Sequence, residues 1–136
     1  MTNEWQRIGS HQVRVEGDLF HLKWIGTVTA ADVQGLILVM DRTLVEHARI
    51  FVIVDARHAN GADAGARKAT AKWSNYHLVA AVAYIGASLT VRVIVSITVS
   101  ARRILGHAPP GPIHFVDTED AARACIEAER RKTRLD

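Results

Sequence analysis

The triplet Gly86-Ala87-Ser88 is the segment of this sequence most like a catalytic motif. Many hydrolases hold a nucleophilic serine in a Gly-x-Ser-x-Gly turn between a strand and a helix, which exposes the hydroxyl at the end of a sheet. The second glycine is missing from this chain, because Thr90 takes its place. Serine is also a favoured residue at the start of a helix. We therefore predict that Ser88 caps a helix and that the protein is not an enzyme.

The histidines are the next candidates for chemistry, because imidazole binds metals and exchanges protons near neutral pH. There are seven of them: His11, His21, His47, His58, His77, His107 and His114. No two are four residues apart, and the sequence has no His-Glu-x-x-His motif and no cysteine–histidine cluster. We predict structural or solvent-exposed histidines, with neither a metal site nor a bound cofactor.

Asp55 occupies a position at which open α/β sheets often bind ligands, directly after an apolar run that predicts a central strand. Arg57 and His58 follow it and could join such a site. The simpler alternative is that the carboxylate accepts hydrogen bonds from the amides of the following loop. We predict this structural role for Asp55.

Apolar patterning predicts the strands that position these residues. A β-hairpin with one buried face is predicted around the turn Glu16-Gly17-Asp18, between strands over 12–15 and 20–24. Further strands are predicted over 50–54, 79–85 and 113–116. The first of these is continuously apolar, which is typical of a strand covered on both faces, and we predict that residues 55–61 after it form a loop.

Three helices are predicted where apolar residues recur at helical spacing beside a capping residue. They lie over 30–47 after Thr29, from Asp63 onward, and over 119–132 after Thr118. The predicted inner face of the second contains Ala66, Ala69, Trp73 and Tyr76.

The segment from Leu89 to Ser100 fits both a strand and a helix, because its β-branched residues alternate with polar ones but also form a helical stripe. We predict a helix, with Leu89, Val93 and Ile97 against the sheet. A second apolar set, Val91, Val95 and Val99, is then expected to lie partly outside the face that packs on the sheet. Such a surface indicates a homodimer contact or a lipid-facing patch, and the alternative is burial beneath a loop.

The stretch from Leu78 to Val99 is long and apolar enough to suggest a membrane span. Arg92 near its middle would cost about 2.5–3.5 kcal/mol at the centre of a bilayer, so we predict a buried strand followed by a second element. The polar N-terminal ten residues contain no apolar core of a secretory signal. We therefore expect a cytoplasmic protein.

The predicted order is hairpin, helix, strand, helix, strand, helix, strand, helix. With 136 residues, 49% of them hydrophobic, the chain is expected to form one domain with a core over about 12–132. Its only cysteine, Cys125, is expected in that core. The alternation predicts an α/β fold: a mixed, mostly parallel sheet of about five strands with an N-terminal β-hairpin and four helices.

Four segments carry a resemblance to a known family: VRVEGDLFHLKWIGTVTAADV, IFVIVDAR, VAAVAYIGAS and IHFVDTEDAARACIEAERR. Together they resemble the STAS family of anti-sigma factor antagonists, and more closely its SpoIIAA-like branch, which is related to lipid-binding SEC14-type domains. The resemblance implies a STAS-like fold over nearly the whole chain. It also implies a non-catalytic role, in which the domain docks onto a kinase, a sigma-factor regulator, a transporter or a lipid surface.

STAS antagonists are switched by phosphorylation of a serine or threonine at the start of the second helix. A phosphoryl group adds about −1.5 to −2 charge at neutral pH, which is enough to block a docking surface. The matching stretch, Asp55 to Ala69, contains no serine, threonine or tyrosine, and the first hydroxyl is that of Thr70. We predict that this protein lacks the phosphorylation switch.

The resemblance therefore implies a regulatory protein-interaction module, and the second helix with its preceding loop is the predicted docking face. The partner-binding candidates are Arg57, His58, Arg67, Lys68 and Lys72, which would speed association with an acidic protein. The alternative is a carrier of a lipid or small apolar ligand, which requires a closed apolar cavity beneath the third helix. Nucleic-acid binding is not expected, because 17 Lys and Arg against 14 Asp and Glu leave only a small excess of positive charge.

Overall fold

The computed structural model describes residues 4–135, whose strands form one six-stranded sheet in the order β1-β2-β3-β4-β5-β6. The strands are β1 (Gln6–Ile8), β2 (His11–Glu16), β3 (Leu19–Val28), β4 (Ile50–Ala62), β5 (Val79–Ile85) and β6 (Ile113–Val116). The helices are α1 (Ala30–Glu46), α2 (Ala64–Lys72), α3 (Leu89–Ile104) and α4 (Glu119–Leu135), with a 3₁₀ turn over Tyr76–Leu78. Strands β1 to β3 are antiparallel, and β3 to β6 are parallel. The predicted architecture is confirmed, with one strand more than expected.

The additional strand is β1, which pairs with β2 so that Gln6 lies opposite Val13. It is short and mostly exposed, so it carries no apolar pattern that would reveal it in the sequence. The predicted hairpin between β2 and β3 is present, and Gly17 provides the left-handed backbone conformation that its tight turn requires, at φ +63°.

Residues 55–61, predicted as a loop, instead continue β4, and this prediction is wrong. The extension pairs in parallel with the second half of β3, where Ile25 lies opposite His58 and Val28 opposite Ala62. Strand β5 pairs with β4 only as far as Asp55. Strand β3 is ten residues long and continues past Lys23, the residue that pairs with Asp55. Its second half therefore offers backbone groups with which a longer β4 can pair. The backbone groups of residues 55–62 pair with this half of β3 regardless of side-chain polarity.

The helices cover both faces of the sheet. Helices α1, α2 and α3 lie on one face, where Met40 of α1 and Val91 of α3 belong to the same core cluster as Val52 of β4. Helix α4 covers the opposite face, where Ile126 packs with Phe51 and others. Burial on both sides accounts for the continuous apolar run of β4.

The predicted helix caps are all present. Thr29 and Asp32 form a capping box at the start of α1. Asp63 accepts a hydrogen bond from the Ala66 amide at 2.8 Å, and Thr118 accepts one from the Ala121 amide at 3.1 Å. These bonds satisfy amide groups that the first helical turn leaves without partners.

Helix α2 ends at Lys72, before the predicted inner-face residues Trp73 and Tyr76. Both side chains are still buried, but Tyr76 lies in the 3₁₀ turn. The end of the helix is held by Arg102, whose guanidinium donates to the carbonyls of Ala71 and Trp73. This contact between distant residues ends the helix at a place that α2's own sequence does not mark.

Helix α3 is present as predicted, but the predicted division of its faces is wrong. Leu89, Val93 and Ile97 were expected against the sheet and are instead 77%, 47% and 53% exposed. Val91 faces inward and is only 6% exposed. The buried face of the helix also includes Thr98 and Arg102. Because these two residues are polar, the sequence pattern indicates an exposed face where the structure has a buried one.

Residues 78–99 contain strand β5, a turn at Gly86 and the first part of α3, as the sequence predicted. Within residues 4–135, no helix combines the length and the apolar character needed to cross a membrane.

Candidate functional site

An apolar cavity of about 150 Å³ lies between the sheet and helices α1, α2 and α3. Its walls are aliphatic and aromatic for the most part. They include Leu22 and Trp24 of β3, Leu36 and Met40 of α1, Val52 and Val54 of β4, Val82 and Tyr84 of β5, and Val91, Ile94, Val95 and Thr98 of α3. The space exists because small residues stand where α2 and the end of β4 meet α3, namely Ala59, Gly61, Ala62 and Ala66. The close-packed interiors of proteins seldom leave a gap of this size.

Partly exposed residues line the cavity where the end of β4 approaches α2 and α3. Gly61, Ala62, Arg67 and Ile94 all line it and are all partly exposed. Gly61 has φ +139°, and a Cβ at this position would lie 2.8 Å from Cδ1 of Ile94. On the other side, Nη1 of Arg67 donates to the carbonyl of Ala62 at 2.6 Å. We call these four residues the mouth of the cavity.

Two tyrosines, Tyr76 and Tyr84, are among the residues that line the cavity. Burial raises the pKa of Tyr76 to about 12, and it raises the pKa of Tyr84 as well, so both phenols are neutral hydrogen-bond donors at physiological pH. Tyr84 stacks on Phe115 with 5.5 Å between ring centres, and Tyr76 stacks on Trp73 at 6.0 Å. Neither hydroxyl forms a hydrogen bond to another of residues 4–135.

The other two hydroxyls in the lining already donate hydrogen bonds to backbone carbonyls. Thr70 donates to the carbonyl of Ala66 at 2.9 Å, and Thr98 donates to that of Ile94 at 2.8 Å. The hydroxyls of the lining that form no hydrogen bond to another described residue are therefore those of the two tyrosines. Pockets that bind small molecules commonly combine such apolar walls with a few polar groups.

The residues that suggested catalysis have structural roles. Ser88 accepts a hydrogen bond from the Val91 amide at 3.2 Å, so the predicted cap is confirmed. Asp55 accepts hydrogen bonds from the Arg57 amide and guanidinium, which confirms its role toward following residues. The same arginine lowers the pKa of Asp55. Both side chains therefore accept hydrogen bonds from residues two or three positions further along the chain.

Three histidines form hydrogen-bonded pairs with carboxylates. His11 contacts Asp32 at 3.0 Å through Nε2, His21 contacts Glu16 at 2.9 Å, and His114 contacts Glu129 at 2.8 Å. His11 also accepts a hydrogen bond from the Ile25 amide through Nδ1, so Nε2 carries the proton. In the part of the chain that the structure describes, no three His, Cys, Asp or Glu side chains are grouped to hold a metal ion.

The five partner-binding candidates are divided between two elements. Arg57 and His58 are exposed on the β4 extension, and Arg57 is paired with Asp55 at 2.8 Å. Lys68 and Lys72 are exposed on α2. Arg67 differs from them because it lines the cavity. The apolar candidates are divided too: Val91 and Val95 line the cavity, whereas Val99 borders a shallow groove beside Pro110.

The sequence could predict the cavity only in outline. A closed cavity beneath the third helix was the expected mark of a carrier, whereas the lining of the observed cavity is partly exposed and comes from seven separate elements. Tyr76, Tyr84 and the gap between small residues gave no recognisable motif. Their only signal is a series of Ala and Gly residues over 59–66 beside a short helix.

No protein-family model matches this sequence, and no curated protein matches it either. Among solved structures, an uncharacterised protein of the DUF3478 family from Shewanella loihica PV-4, which has a SpoIIAA-like fold, matches with a TM-score of 0.56. The match covers 85% of this chain and 90% of that chain at 18% identity. A structure of Mglu matches with a TM-score of only 0.34 at 14% identity, over 79% of this chain and 19% of that one, and bears on nothing further. The protein therefore has a SpoIIAA-like α/β fold, as its sequence predicted.

Proposed function

We propose that this protein is a non-catalytic binding domain that takes a small, largely apolar molecule into the cavity between the sheet and α3. Of the functions that the sequence left open, the carrier alternative is favoured over a purely protein-binding role. The observation that carries the proposal is an apolar cavity of about 150 Å³ whose lining includes two tyrosines. Apolar cavities of about this size bind benzene-sized molecules.

The energetic cost of the cavity supports this function. By the coefficient measured for cavity-forming substitutions, an unfilled space of this volume costs on the order of 3–4 kcal/mol. That is a large part of the 5–15 kcal/mol typical of domain stability. A bound ligand would recover contacts that the lining side chains otherwise lack.

The chemistry of the lining favours binding over catalysis. Among the described residues, no carboxylate, thiol or imidazole lines the cavity. Its phenols have raised pKa values, which makes them poor proton donors in catalysis although they remain hydrogen-bond donors. The site is thus equipped for recognition and lacks a general base.

The test is a titration of isotope-labelled protein with toluene and with 1-hexanol, followed by amide chemical shifts and by Tm. We expect saturable shifts around Val82 and Val91 with a dissociation constant on the order of 0.1–1 mM, as suits ligands of so few atoms. Val95→Phe should fill the cavity and abolish the shifts. Val93→Phe makes the same change on the exposed face of α3 and should leave them intact. If neither probe produces saturable shifts in the wild type, the proposed function is rejected.

Docking of an acidic protein on α2 is the second candidate. Lys68 and Lys72 support it, because both are exposed on one helix whose first turn carries no acidic residue. The test is crosslinking in an extract of the source organism, comparing the wild type with the double variant Lys68→Glu and Lys72→Glu. A protein captured by the wild type and lost in the variant supports docking, whereas identical captures from both argue against it.

A further inference from the structure

We infer that the ligand of the cavity is a small carboxylic acid, whose apolar part occupies the interior while Arg67 binds its carboxylate at the mouth. This inference rests on the proposed function, because it names the chemical class of the ligand for the same cavity.

Arg67 is set apart by its position in the lining. Among the described residues, it is the only charged side chain that lines the cavity. It lies on the first turn of α2, where its Nη1 donates to the carbonyl of Ala62 and is thereby held at the mouth. A guanidinium has five N–H donors, so most of them remain for a ligand.

Four other arginines have partners of their own. Arg57 is paired with Asp55, Arg130 with Asp18, and Arg123 with Glu119. Arg102 is buried against backbone carbonyls. Arg67 forms no ion pair with any carboxylate of residues 4–135.

The acid nearest to Arg67 along the chain does not neutralise it. Asp63 is the N-cap of α2, and its side chain accepts the hydrogen bond from the Ala66 amide at 2.8 Å. The mouth therefore presents a positive charge against an apolar interior. Charge-assisted bonds from a guanidinium to a carboxylate are about twice as strong as neutral hydrogen bonds, and they gain further where water is partly excluded.

The geometry also limits the size of the acid. A cavity of about 150 Å³ accepts an apolar group of roughly six to eight carbon atoms, which is too little space for a long acyl chain. Arg67 is the one cationic side chain among the described lining residues, so the cavity suits a ligand that carries a single negative charge. Phenylacetate fits both limits, and 2-phenylethanol is its nearly isosteric neutral counterpart.

The experiment measures both compounds by calorimetric and NMR titration against the wild type, Arg67→Gln and Lys68→Gln. We expect phenylacetate to bind the wild type at least tenfold more tightly than 2-phenylethanol and to shift the Nε–H signal of Arg67. Arg67→Gln should remove this preference while still binding the alcohol. Lys68→Gln, which removes an exposed charge from the neighbouring position, should keep it.

Each outcome decides between the two proposals. Equal binding of acid and alcohol by the wild type overturns the inference and leaves the proposed function standing. Binding of neither compound overturns the inference, and the titration with toluene and 1-hexanol then decides whether the proposed function stands. Should Arg67→Gln fail to fold, the wild-type preference together with the Arg67 Nε–H shift still decides, and a preference without that shift overturns the role of Arg67.

Discussion

The guanidinium of Arg102 donates a hydrogen bond to the carbonyl of Ala71, 3.0 Å away, and so joins the last turn of α3 to the end of α2. Arg102 is 1% exposed, and it also donates to the carbonyls of Trp73 and Ala108. A buried arginine of this kind neutralises the negative end of one helix while it positions another. The wall that α2 and α3 form around the cavity therefore depends on one side chain.

Replacing this arginine should be strongly destabilising. Arg102→Met leaves the buried carbonyls of Ala71 and Trp73 and the carbonyl of Ala108 without their partner, and we expect a loss of about 3–5 kcal/mol in the free energy of unfolding, measured with urea. Arg103→Met at the adjacent exposed position is the matched control and should change stability by no more than about 0.5 kcal/mol. Equal losses in the two variants would show that Arg102 does not hold the helices together.

The two faces of α3 should respond differently to charge. Val95→Glu places a carboxylate against the apolar cavity, and we expect it to cost at least about 3 kcal/mol. Val93→Glu on the exposed face should cost about 0.5 kcal/mol or less. Thermal unfolding of both variants provides the comparison. Similar losses in the two would contradict the assignment of the faces.

The exposed apolar residues of α3 also bear on the predicted homodimer or lipid contact, which now concerns Leu89, Val93 and Ile97. If two copies associate through this face, the wild type elutes as a dimer and Val93→Glu as a monomer in size-exclusion chromatography with light scattering. A lipid contact instead predicts that the wild type floats with vesicles and that Val93→Glu does not. Identical monomers with no vesicle binding would remove both ideas.

Tyr84 should tolerate the loss of its hydroxyl. Because that group has no hydrogen-bond partner among the described residues, Tyr84→Phe should leave stability unchanged or raise it by up to about 1 kcal/mol. Trp73→Phe is the contrast, because it removes the hydrogen bond from Nε1 to Asp41 at 2.9 Å. A clear loss of stability in Tyr84→Phe, measured by urea unfolding without ligand, would reveal a partner for this phenol.

Acid should destabilise the fold through His21. Burial lowers the pKa of His21 below its ordinary value of 6.5 despite the hydrogen bond that it donates to Glu16. The unfolded chain therefore binds this proton more readily, so stability is complete above about pH 6.5 and declines as pH falls toward the lower, folded-state value. His21 also lowers the pKa of Glu16, which acts in the same direction at lower pH. Urea unfolding from pH 7.5 to 5 should show a smaller decline in His21→Gln than in the wild type, and equal declines would contradict this role.

Local signals in the sequence were sufficient for most of the elements. The hairpin turn at Gly17, the caps at Asp63 and Ser88, and the apolar run from Ile50 to Val54 all act within a few residues of where they stand. Local steric and hydrogen-bonding preferences decide such features, so they were correctly predicted, and the α/β fold followed from their order.

The remaining features depend on contacts between distant segments. Residues 55–62 form a strand because they pair with β3, and α2 ends where Arg102 binds its last carbonyls. The two apolar stripes of α3 are nearly equivalent in sequence, and the structure buries the one that contains Val91. The cavity is likewise a property of the assembled layers, because it forms only where Gly61 and Ala66 meet Ile94. The sequence by itself determined most of the strands and helices and their order along the chain. Only tertiary packing decided where they leave space and which charged residue, Arg67, lies at its mouth.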